Sequence, residues 1–446
     1  MTAAPALEVV PRRDSRRWVA LAFIAIAQLM IALDATIVSI ALPSAQRALG
    51  ASDADRQWVI TAYTLAFGGL LLLGGRVSDL LGRKRAFLIG LAGFAAASVA
   101  GGSAPGFAIL VASRAMQGAF AALLAPTALS LLAVTFTEAK ERATAFAVYG
   151  SIAGSGAAIG MLLGGVLTQY VSWRWCLYVN LPIALIAGVG GWLYVPGSRA
   201  SGRSSLDLTG AALAGAGLVA IAYASSSHAL WLFAVGIALL ALFVLRESRI
   251  ADPLLPIRII AGRVRGGVYL AVGLALAGTF GAYLFLTYYL QTIHHYTPLE
   301  AGFAFLPITV GSQAAAWLIA RRLMPIVPAR WLITAGCIAA AVGVAVLSRL
   351  TPDSSYLALI APGELLLGAG LSTAMVPAFS AATRGVDPRQ AGVASAVVNA
   401  TQQVGASVGT ALLNSIAVDH GFAVSTATGA GLMLLAAVVA AVLIRR

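Results

Sequence analysis

The sequence is dominated by long runs of apolar residues that are separated by short polar connections. There are about fourteen such runs, and an α-helix needs about 20 predominantly apolar residues to cross a lipid bilayer. Fourteen crossings would use roughly 280 residues, which leaves little of the 446-residue chain for anything else. We therefore predict an all-α polytopic membrane protein. The predicted spans lie near residues 18–42, 57–80, 86–104, 107–132, 143–168, 177–195, 207–225, 229–245, 266–291, 300–320, 330–350, 356–381, 391–417 and 422–444.

The composition excludes several classes of protein. Only 10% of the residues are charged, whereas a soluble domain carries about 25% charged residues because its surface meets water. A soluble globular enzyme is therefore excluded. Cys176 and Cys337 belong to no spaced set, so we expect neither a disulfide framework nor a metal site. The two lysines, Lys84 and Lys140, lie outside any Gly-Lys-Ser/Thr phosphate loop, which excludes ATP as a direct energy source. Any work must therefore draw on an ion gradient or a partner, and we expect no cofactor.

The formal net charge of +13 is explained by orientation in the membrane. With the N-terminus in the cytoplasm, most arginines and lysines fall in inner loops, as the positive-inside rule describes. We therefore expect both termini in the cytoplasm, a multi-pass protein of the bacterial cytoplasmic (inner) membrane, and no nucleic-acid partner. The arginines that remain on the outer side are Arg47, Arg56, Arg174 and Arg349.

The chain also contains an internal repeat with an offset of about 250 residues. Elements that match in the same order and at one offset indicate two six-helix lobes in parallel orientation. Spans seven and eight then form an insertion of two transmembrane helices between the lobes. The matches pair Arg76 with Arg321, Arg85 with Arg330, Arg114 with Glu364, Gly118 with Gly368, Pro126 with Pro377, Gly156 with Gly405 and Gly160 with Gly409.

This repeat sets the predicted domain boundaries. Residues 1–17 form a cytoplasmic tail and residues 18–197 the N-terminal six-helix lobe. Residues 198–265 form a linker with the two inserted helices, and residues 266–446 form the C-terminal six-helix lobe.

The inner loop after span two carries a candidate cytoplasmic gate. Its glycines permit a tight reversal and close helix contact, and an aspartate there can meet the positive N-terminal end of another helix. Such contacts would hold two lobes together on one side and break when the protein opens inward. The alternative is a plain positive-inside loop with glycine turns. The gate candidates are Gly75, Asp79, Gly82, Arg83, Lys84 and Arg85.

Several motifs resemble those of the major facilitator superfamily. Residues 75–85 resemble its signature loop, and residues 33–43 resemble the first-helix signature of its fourteen-span drug:proton antiporter family. The resemblance implies the two-lobed major facilitator fold and proton-coupled multidrug efflux. Further matches are Arg114-x-x-Gln117-Gly118, the glycines Gly156, Gly160, Gly164 and Gly165 of the antiport motif, residues 172–175, residues 288–291, and Ala301-Gly302.

The sequence departs from the antiporter pattern at three positions. Met161 stands where that pattern has proline, Leu80 where it has a basic residue, and Ser39 where it has asparagine.

The main hypothesis is a monomeric, proton-coupled exporter of lipophilic, cationic drugs or metabolites that works by alternating access. Met161 keeps open a proton symporter or uniporter of a native metabolite. A non-transporting membrane sensor with the same fold is a further alternative.

Charged residues within the bilayer are functional candidates because burying them is costly. Asp34, Arg114 and Glu364 lie in apolar spans, and from the predicted span ends each lies roughly 10–12 Å below the outer surface. A shared depth favours an Asp34–Arg114 pair, with Glu364 facing it from the second lobe. A carboxyl in such a place could load and release a proton as water access changes. The alternative is a structural pair that locks two helices, with Glu364 near the membrane interface.

Polar and aromatic residues on the inner helices are candidates for the cargo site. Aromatic walls with few polar anchors suit flat lipophilic cargo, and contact between a cation and an aromatic face would favour positive charge. The alternative is ordinary packing between helices. These candidates are Gln117, Phe280, Tyr283, Tyr288, Asn399, Gln402 and Gln403.

Overall fold

The structure, a computed structural model, describes residues 16–53, 55–136, 138–197, 207–227, 229–250, 253, 262–383 and 391–444. Residues 1–15 of the predicted tail, and residues 198–206, 228, 251–252 and 254–261 of the predicted linker, lie outside the described residues. Every regular element within them is helical. The α-helices are α1 Arg16–Leu49, α2 Trp58–Leu81, α3 Arg83–Gly102, α4 Phe107–Thr135, α5 Ala139–Tyr170, α6 Trp175–Tyr178, α7 Asn180–Tyr194, α8 Leu208–Ser227, α9 Leu230–Glu247, α10 Arg263–Tyr288, α11 Pro298–Ala304, α12 Leu306–Leu318, α13 Ala329–Leu347, α14 Ala361–Thr383, α15 Ala391–His420 and α16 Phe422–Leu443.

Helices are the expected elements here because lipid offers no hydrogen-bond partners to the backbone, and a helix satisfies its own. Within the described residues, ten helices are long and apolar enough to cross a membrane. Large apolar side chains on their outer faces, such as Trp192 and Trp317, are exposed as a lipid-facing surface requires. The prediction of an all-helical, multi-pass membrane protein is confirmed.

Some predicted helix boundaries are wrong. Helix α1 continues through Pro43 to Leu49 instead of ending near residue 42, so Asp34 lies deeper in its helix than predicted. The sixth predicted span consists of the short helix α6 followed by α7. Helix α10 continues into a π-helical turn at Tyr289–Ile293, and similar turns occupy Ile319–Leu323 and Tyr356–Ile360.

The glycines of the internal repeat make equivalent contacts between helices. A Cβ added at Gly118 of α4 would lie 2.3 Å from the carbonyl oxygen of Tyr63 in α2. A Cβ added at the matching Gly368 of α14 would lie 2.0 Å from the carbonyl oxygen of Ile308 in α12. Small residues at helix interfaces let two backbones approach closely. The α2–α4 contact of one part of the chain therefore has its counterpart in the α12–α14 contact.

A second pair of repeat glycines behaves in the same way. A Cβ at Gly160 of α5 would lie 2.7 Å from the carbonyl oxygen of Leu33 in α1. At the matching Gly409 of α15, it would lie 2.3 Å from the carbonyl oxygen of Ala277 in α10. Helix α5 thus packs on α1 as α15 packs on α10.

The buried side chains form separate cores in the two parts of the chain. We call α1–α7 the first half and α10–α16 the second half. One cluster has all its buried members between residues 20 and 195, and another has them between residues 243 and 444. Two further clusters join the halves near the end of the bundle that carries the α1–α2 connection, which we call the outer end.

Helices α8 and α9 form an antiparallel hairpin outside the two halves. An ion pair between Arg246 and Asp207, with 2.9 Å between Nη2 and Oδ1, joins the start of α8 to the end of α9. On its other side α8 contacts both halves, because Ala222 packs in one cluster with Leu65 of α2 and Ala411 of α15. The hairpin therefore covers the seam between α2 and α15.

One close backbone contact between helices predicts a stability effect. A Cβ added at Gly74 of α2 would lie 2.1 Å from the carbonyl oxygen of Ala122 in α4. We expect Gly74→Ala to lower the free energy of unfolding by about 1–3 kcal/mol, the usual cost of overpacking. The measurement is the midpoint of thermal unfolding of the purified protein in detergent.

The matched control is Gly188→Ala, since Gly188 also lies inside a helix and an added Cβ there has no atom within 4 Å. Alanine favours a helix over glycine by about 1 kcal/mol, so this variant should keep or slightly raise the midpoint. Equal midpoints for the two variants would contradict the packing argument.

Candidate functional site

Asp34 lies at the centre of a hydrogen-bond network inside the first half. Its side chain is fully buried in α1. Oδ2 accepts from Arg114 Nη1 at 2.6 Å, and Oδ1 accepts from Gln117 Nε2 at 3.0 Å and from Asn180 Nδ2 at 2.7 Å. The carboxylate is thereby bound to α4 and α7, and the structure brings together the Asp34–Arg114 pair that the sequence favoured.

Arg114 is held on its other sides by α2. Its Nε donates to the carbonyl oxygen of Val59 at 3.0 Å, and its guanidinium carbon lies 4.3 Å from the centre of the Tyr63 ring. Arg114 Nη1 also donates to Gln117 Oε1 at 2.9 Å, which is possible because residues three apart share a helix face. Gln117 Nε2 in turn donates to Ser98 Oγ of α3 at 2.7 Å.

This network can bind or release a proton only at the expense of its own bonds. Protonation of Asp34 would remove the charge that balances Arg114, and leaving a buried guanidinium unpaired is costly. In the conformation described, the ion pair joins helices α1, α2, α4 and α7 through the carboxylate, the guanidinium and Asn180.

Glu364 lies in different surroundings, in the first turn of α14. It is fully buried, and among the described residues neither of its carboxyl oxygens has a hydrogen-bond partner. It interacts electrostatically with Tyr283 and Tyr356, and the Tyr283 ring stacks on Phe305 with 5.8 Å between centres. Glu364 therefore does not join the Asp34 network by a hydrogen bond. Burying an unpaired carboxylate is costly, so these aromatic surroundings favour the neutral acid.

The predicted cytoplasmic gate forms the turn between α2 and α3. Gly82 has a φ of 83°, a left-handed conformation that only glycine adopts at little cost, which explains the tight reversal. Lys84 Nζ donates to the carbonyl oxygen of Trp192 at the end of α7, at 2.6 Å. Gly75 faces Pro126 of α4, and Asp79 and Arg83 are half-buried beside the turn while Arg85 is exposed.

The glycines of the antiport motif lie on two faces of α5. Gly156, Gly160 and Gly164 face α1, where added Cβ atoms would lie within 3 Å of its atoms. Gly165 faces the second half, where its Cβ would lie 2.6 Å from the carbonyl oxygen of Pro298. The backbone of Met161, at the position of the motif proline, packs against Gly302 of α11.

The candidate cargo residues are spread over several regions. Gln117 is fully buried in the Asp34 network. Tyr288 lies at the outer end, and its hydroxyl donates to Gln46 Oε1. Gln403 packs against Gly68 of α2, and Gln402 Nε2 lies 3.7 Å from Met375 Sδ. Asn399 is half-buried in α15, and Phe280 lies in α10, with a side chain outside the described part of the structure.

Sequence reasoning missed several residues of the network. Asn180 donates directly to Asp34, and Ser98 and Tyr63 contact Gln117 and Arg114. Asn180 is an isolated amide between Val179 and Leu181 in an apolar run. A buried amide must find a partner, so that isolation was a usable signal. Ser98 and Tyr63 carried no such signal, because serine and tyrosine are common in membrane helices.

A bundle of membrane helices with ionisable side chains buried between them, and with two halves that meet at one end, is the construction of a secondary transporter. A family profile described as Major Facilitator Superfamily matches residues 24–410 and, in a second match, residues 269–446. The chain belongs to the major facilitator superfamily.

Known proteins resemble the chain over almost its whole length. It is 50% identical over 463 residues to the puromycin resistance protein of Streptomyces alboniger, a match that covers 97% of this chain and 92% of that protein. It is 34% identical to the multidrug efflux pump LfrA of Mycolicibacterium smegmatis, covering 91% and 82%. The crystal structure of the POT family transporter PepTSo matches with a TM-score of 0.75 at 15% identity, over 97% of this chain and 98% of that one, and supports the fold alone.

The network predicts strong energetic coupling between Asp34 and Arg114. Removing one partner of a buried ion pair costs about 3–5 kcal/mol, because the other charge stays buried and unpaired. We therefore expect Asp34→Asn and Arg114→Gln each to lower the thermal unfolding midpoint strongly. The double variant should lower the midpoint by much less than the sum of the two single decreases. A double-mutant cycle measured on the purified protein checks this.

The control cycle uses Asp207→Asn and Arg246→Gln. In that pair Asp207 is buried, but the Arg246 side chain is 38% exposed. Because water screens an exposed charge, we expect a smaller coupling energy there than between Asp34 and Arg114. Additive effects at Asp34 and Arg114, or coupling no larger than in the control pair, would contradict the predicted interaction.

Proposed function

We propose that the protein is a proton-coupled exporter of lipophilic, cationic drugs or metabolites that works by alternating access. It acts as a monomer in the bacterial cytoplasmic membrane, with both termini in the cytoplasm. Glu364 carries the exchangeable proton, Asp34 and Arg114 couple proton movement to helix movement, and Asp79 with residues 83–85 forms the inner gate. The observation that carries the proposal is the buried carboxyl of Glu364, which has no hydrogen-bond partner among the described residues and interacts electrostatically with Tyr283 and Tyr356.

The names of the relatives support drug export. One confers puromycin resistance and another is a multidrug efflux pump, and each matches more than nine tenths of this chain. The aromatic surroundings of Glu364 fit such cargo, because aromatic faces bind flat apolar molecules and attract cations.

The equivalent glycine contacts of the repeat support two six-helix lobes with α8 and α9 inserted between them, which gives fourteen transmembrane helices in all. The contacts of Gly118 correspond to those of Gly368, and the contacts of Gly160 correspond to those of Gly409. Two similar bundles that rock about a shared site are the basis of alternating access.

The proposed exchange follows from the cost of an unpaired buried charge. With the outer end closed, Glu364 is neutral and its proton has no acceptor among the described residues. A cationic cargo that reaches this carboxyl from the cytoplasm supplies the missing partner, so the proton leaves to water on the inner side. After the protein opens outward, a proton from outside displaces the cargo and restores the neutral acid.

The proposal predicts the behaviour of Glu364→Gln, which keeps the shape of the side chain and removes its titratable group. We expect drug-stimulated proton release from proteoliposomes to fall to background. The control is Glu300→Gln, since Glu300 completes a capping box with Thr297 at the start of α11 and glutamine can take that role. Proton release that is equal in wild type and Glu364→Gln would remove Glu364 as the proton carrier.

Asp34→Asn distinguishes a coupling role from a structural one. If Asp34 couples proton and cargo movement, the folded fraction of this variant should bind drug but release few protons for each drug molecule. Full proton-coupled export by Asp34→Asn would show that the pair only locks helices together.

The alternative of a symporter or uniporter rests on Met161, which packs against Gly302 at the position of the motif proline. Tracer flux through the purified protein separates the alternatives. Uptake that follows the proton gradient would indicate symport, flux without proton movement would indicate uniport, and binding without flux would indicate a sensor.

A further inference from the structure

Arg56 stands between the two halves at the outer end of the bundle. It lies just before α2, and only 4% of its surface is exposed. From the sequence alone, Arg56 is one of the four arginines expected on the outer side. A buried guanidinium needs partners, and here most of them belong to the opposite half.

The contacts of Arg56 reach three helices of the second half. Its Nε donates to Asn414 Oδ1 of α15 at 3.1 Å. Its guanidinium carbon lies 4.0 Å from the centre of the Tyr288 ring in α10 and 6.0 Å from that of Phe422 in α16. Within the first half, its Nη1 donates to Asp53 Oδ1 at 3.0 Å.

Neighbouring contacts close the same end of the molecule. Asn414 Nδ2 donates to the carbonyl oxygen of Asp53 at 3.2 Å, and Gln291 Nε2 donates to the carbonyl oxygen of Ile40 at 2.9 Å. These bonds also join the first half to the second. Arg56 differs from them because one side chain contacts three helices of the opposite half at once.

We propose that Arg56 is the latch of the outer gate: it holds the outer end closed in this conformation and releases it when the protein opens outward. Arg56 acts as a positioning residue, because it sets how the two halves lie relative to each other at the outer end. The inference rests on the alternating-access part of the proposed function.

The surroundings of Arg56 make this latch reversible. The Asp53 side chain is 68% exposed, so it already meets water and moves with Arg56 as part of the first half. When the halves separate, the guanidinium keeps this carboxylate and exchanges Asn414 and the aromatic rings for water. No charge is left buried and unpaired, in contrast to a separation of Asp34 from Arg114.

The test measures the width of the outer end directly. Spin labels are placed at Val171→Cys in the first half and Asp353→Cys in the second, both exposed at the outer end, while Cys176 and Cys337 are buried. Pulsed electron paramagnetic resonance then gives the distance distribution in nanodiscs without drug or a proton gradient. We expect Arg56→Gln to raise the ratio of long to short distances by roughly tenfold, which corresponds to 1.4 kcal/mol.

The matched control is Arg47→Gln, because Arg47 is another arginine of the outer end and donates to Pro43 of its own helix, at 3.3 Å. It should leave the distribution unchanged. Arg56→Lys should give an intermediate ratio, since it keeps the charge and loses the planar group that stacks on Tyr288. Tyr288→Leu removes the ring from the opposite half and should widen the outer end with Arg56 intact.

The outcomes separate this inference from the proposed function. A wild-type distance distribution in both Arg56→Gln and Tyr288→Leu would overturn the latch, whatever the protein transports. A widened outer end in both variants supports it, even if Glu364→Gln shows that the proton is carried elsewhere. An equal change in Arg47→Gln would also overturn it, because the effect would then be one of surface charge.

Discussion

A lipid bilayer supplies neither counterions nor hydrogen bonds, so every charge that folds into it must find its partners within the protein. Asp34 and Arg114 meet this constraint through a 2.6 Å ion pair. Their remaining hydrogen-bonding groups are taken up by Gln117, Asn180 and the carbonyl oxygen of Val59. Because these partners belong to α1, α2, α4 and α7, satisfying one pair of charges also sets how four helices of the first half lie against one another.

Three buried ionisable side chains differ in how far their hydrogen-bonding groups are paired. Asp34 is fully bonded within one half, whereas Glu364 has no hydrogen-bond partner among the described residues. Arg56 is bonded across the two halves while keeping a solvated carboxylate beside it. A fully bonded charge stabilises one arrangement of the helices around it, and a charge bonded across the halves favours one relative position of the two.

Part of the site could be predicted from the sequence. Asp34 and Arg114 stand out because each is a lone charge in an apolar run, and few charges are available to pair with either. Gln117 was predicted as a cargo residue, and its place in the network depends on the rotation of α4 about its axis, which a sequence leaves open. The predicted end of α1 near residue 42 is wrong because the helix continues beyond the apolar run, where polar residues are solvated and hydropathy no longer marks the helix.

Two properties could be read directly from the sequence: the chain crosses a membrane as helices, and Asp34, Arg114 and Glu364 are buried in those helices. Both are local, since about 20 consecutive residues decide whether a segment crosses a bilayer. The three-dimensional packing was needed to show that Asn180 completes the Asp34 network, that Glu364 has no hydrogen-bond partner among the described residues, and that Arg56 bridges the halves. Those outcomes depend on which helix faces meet. Packing between residues that are far apart in the chain decides which faces those are.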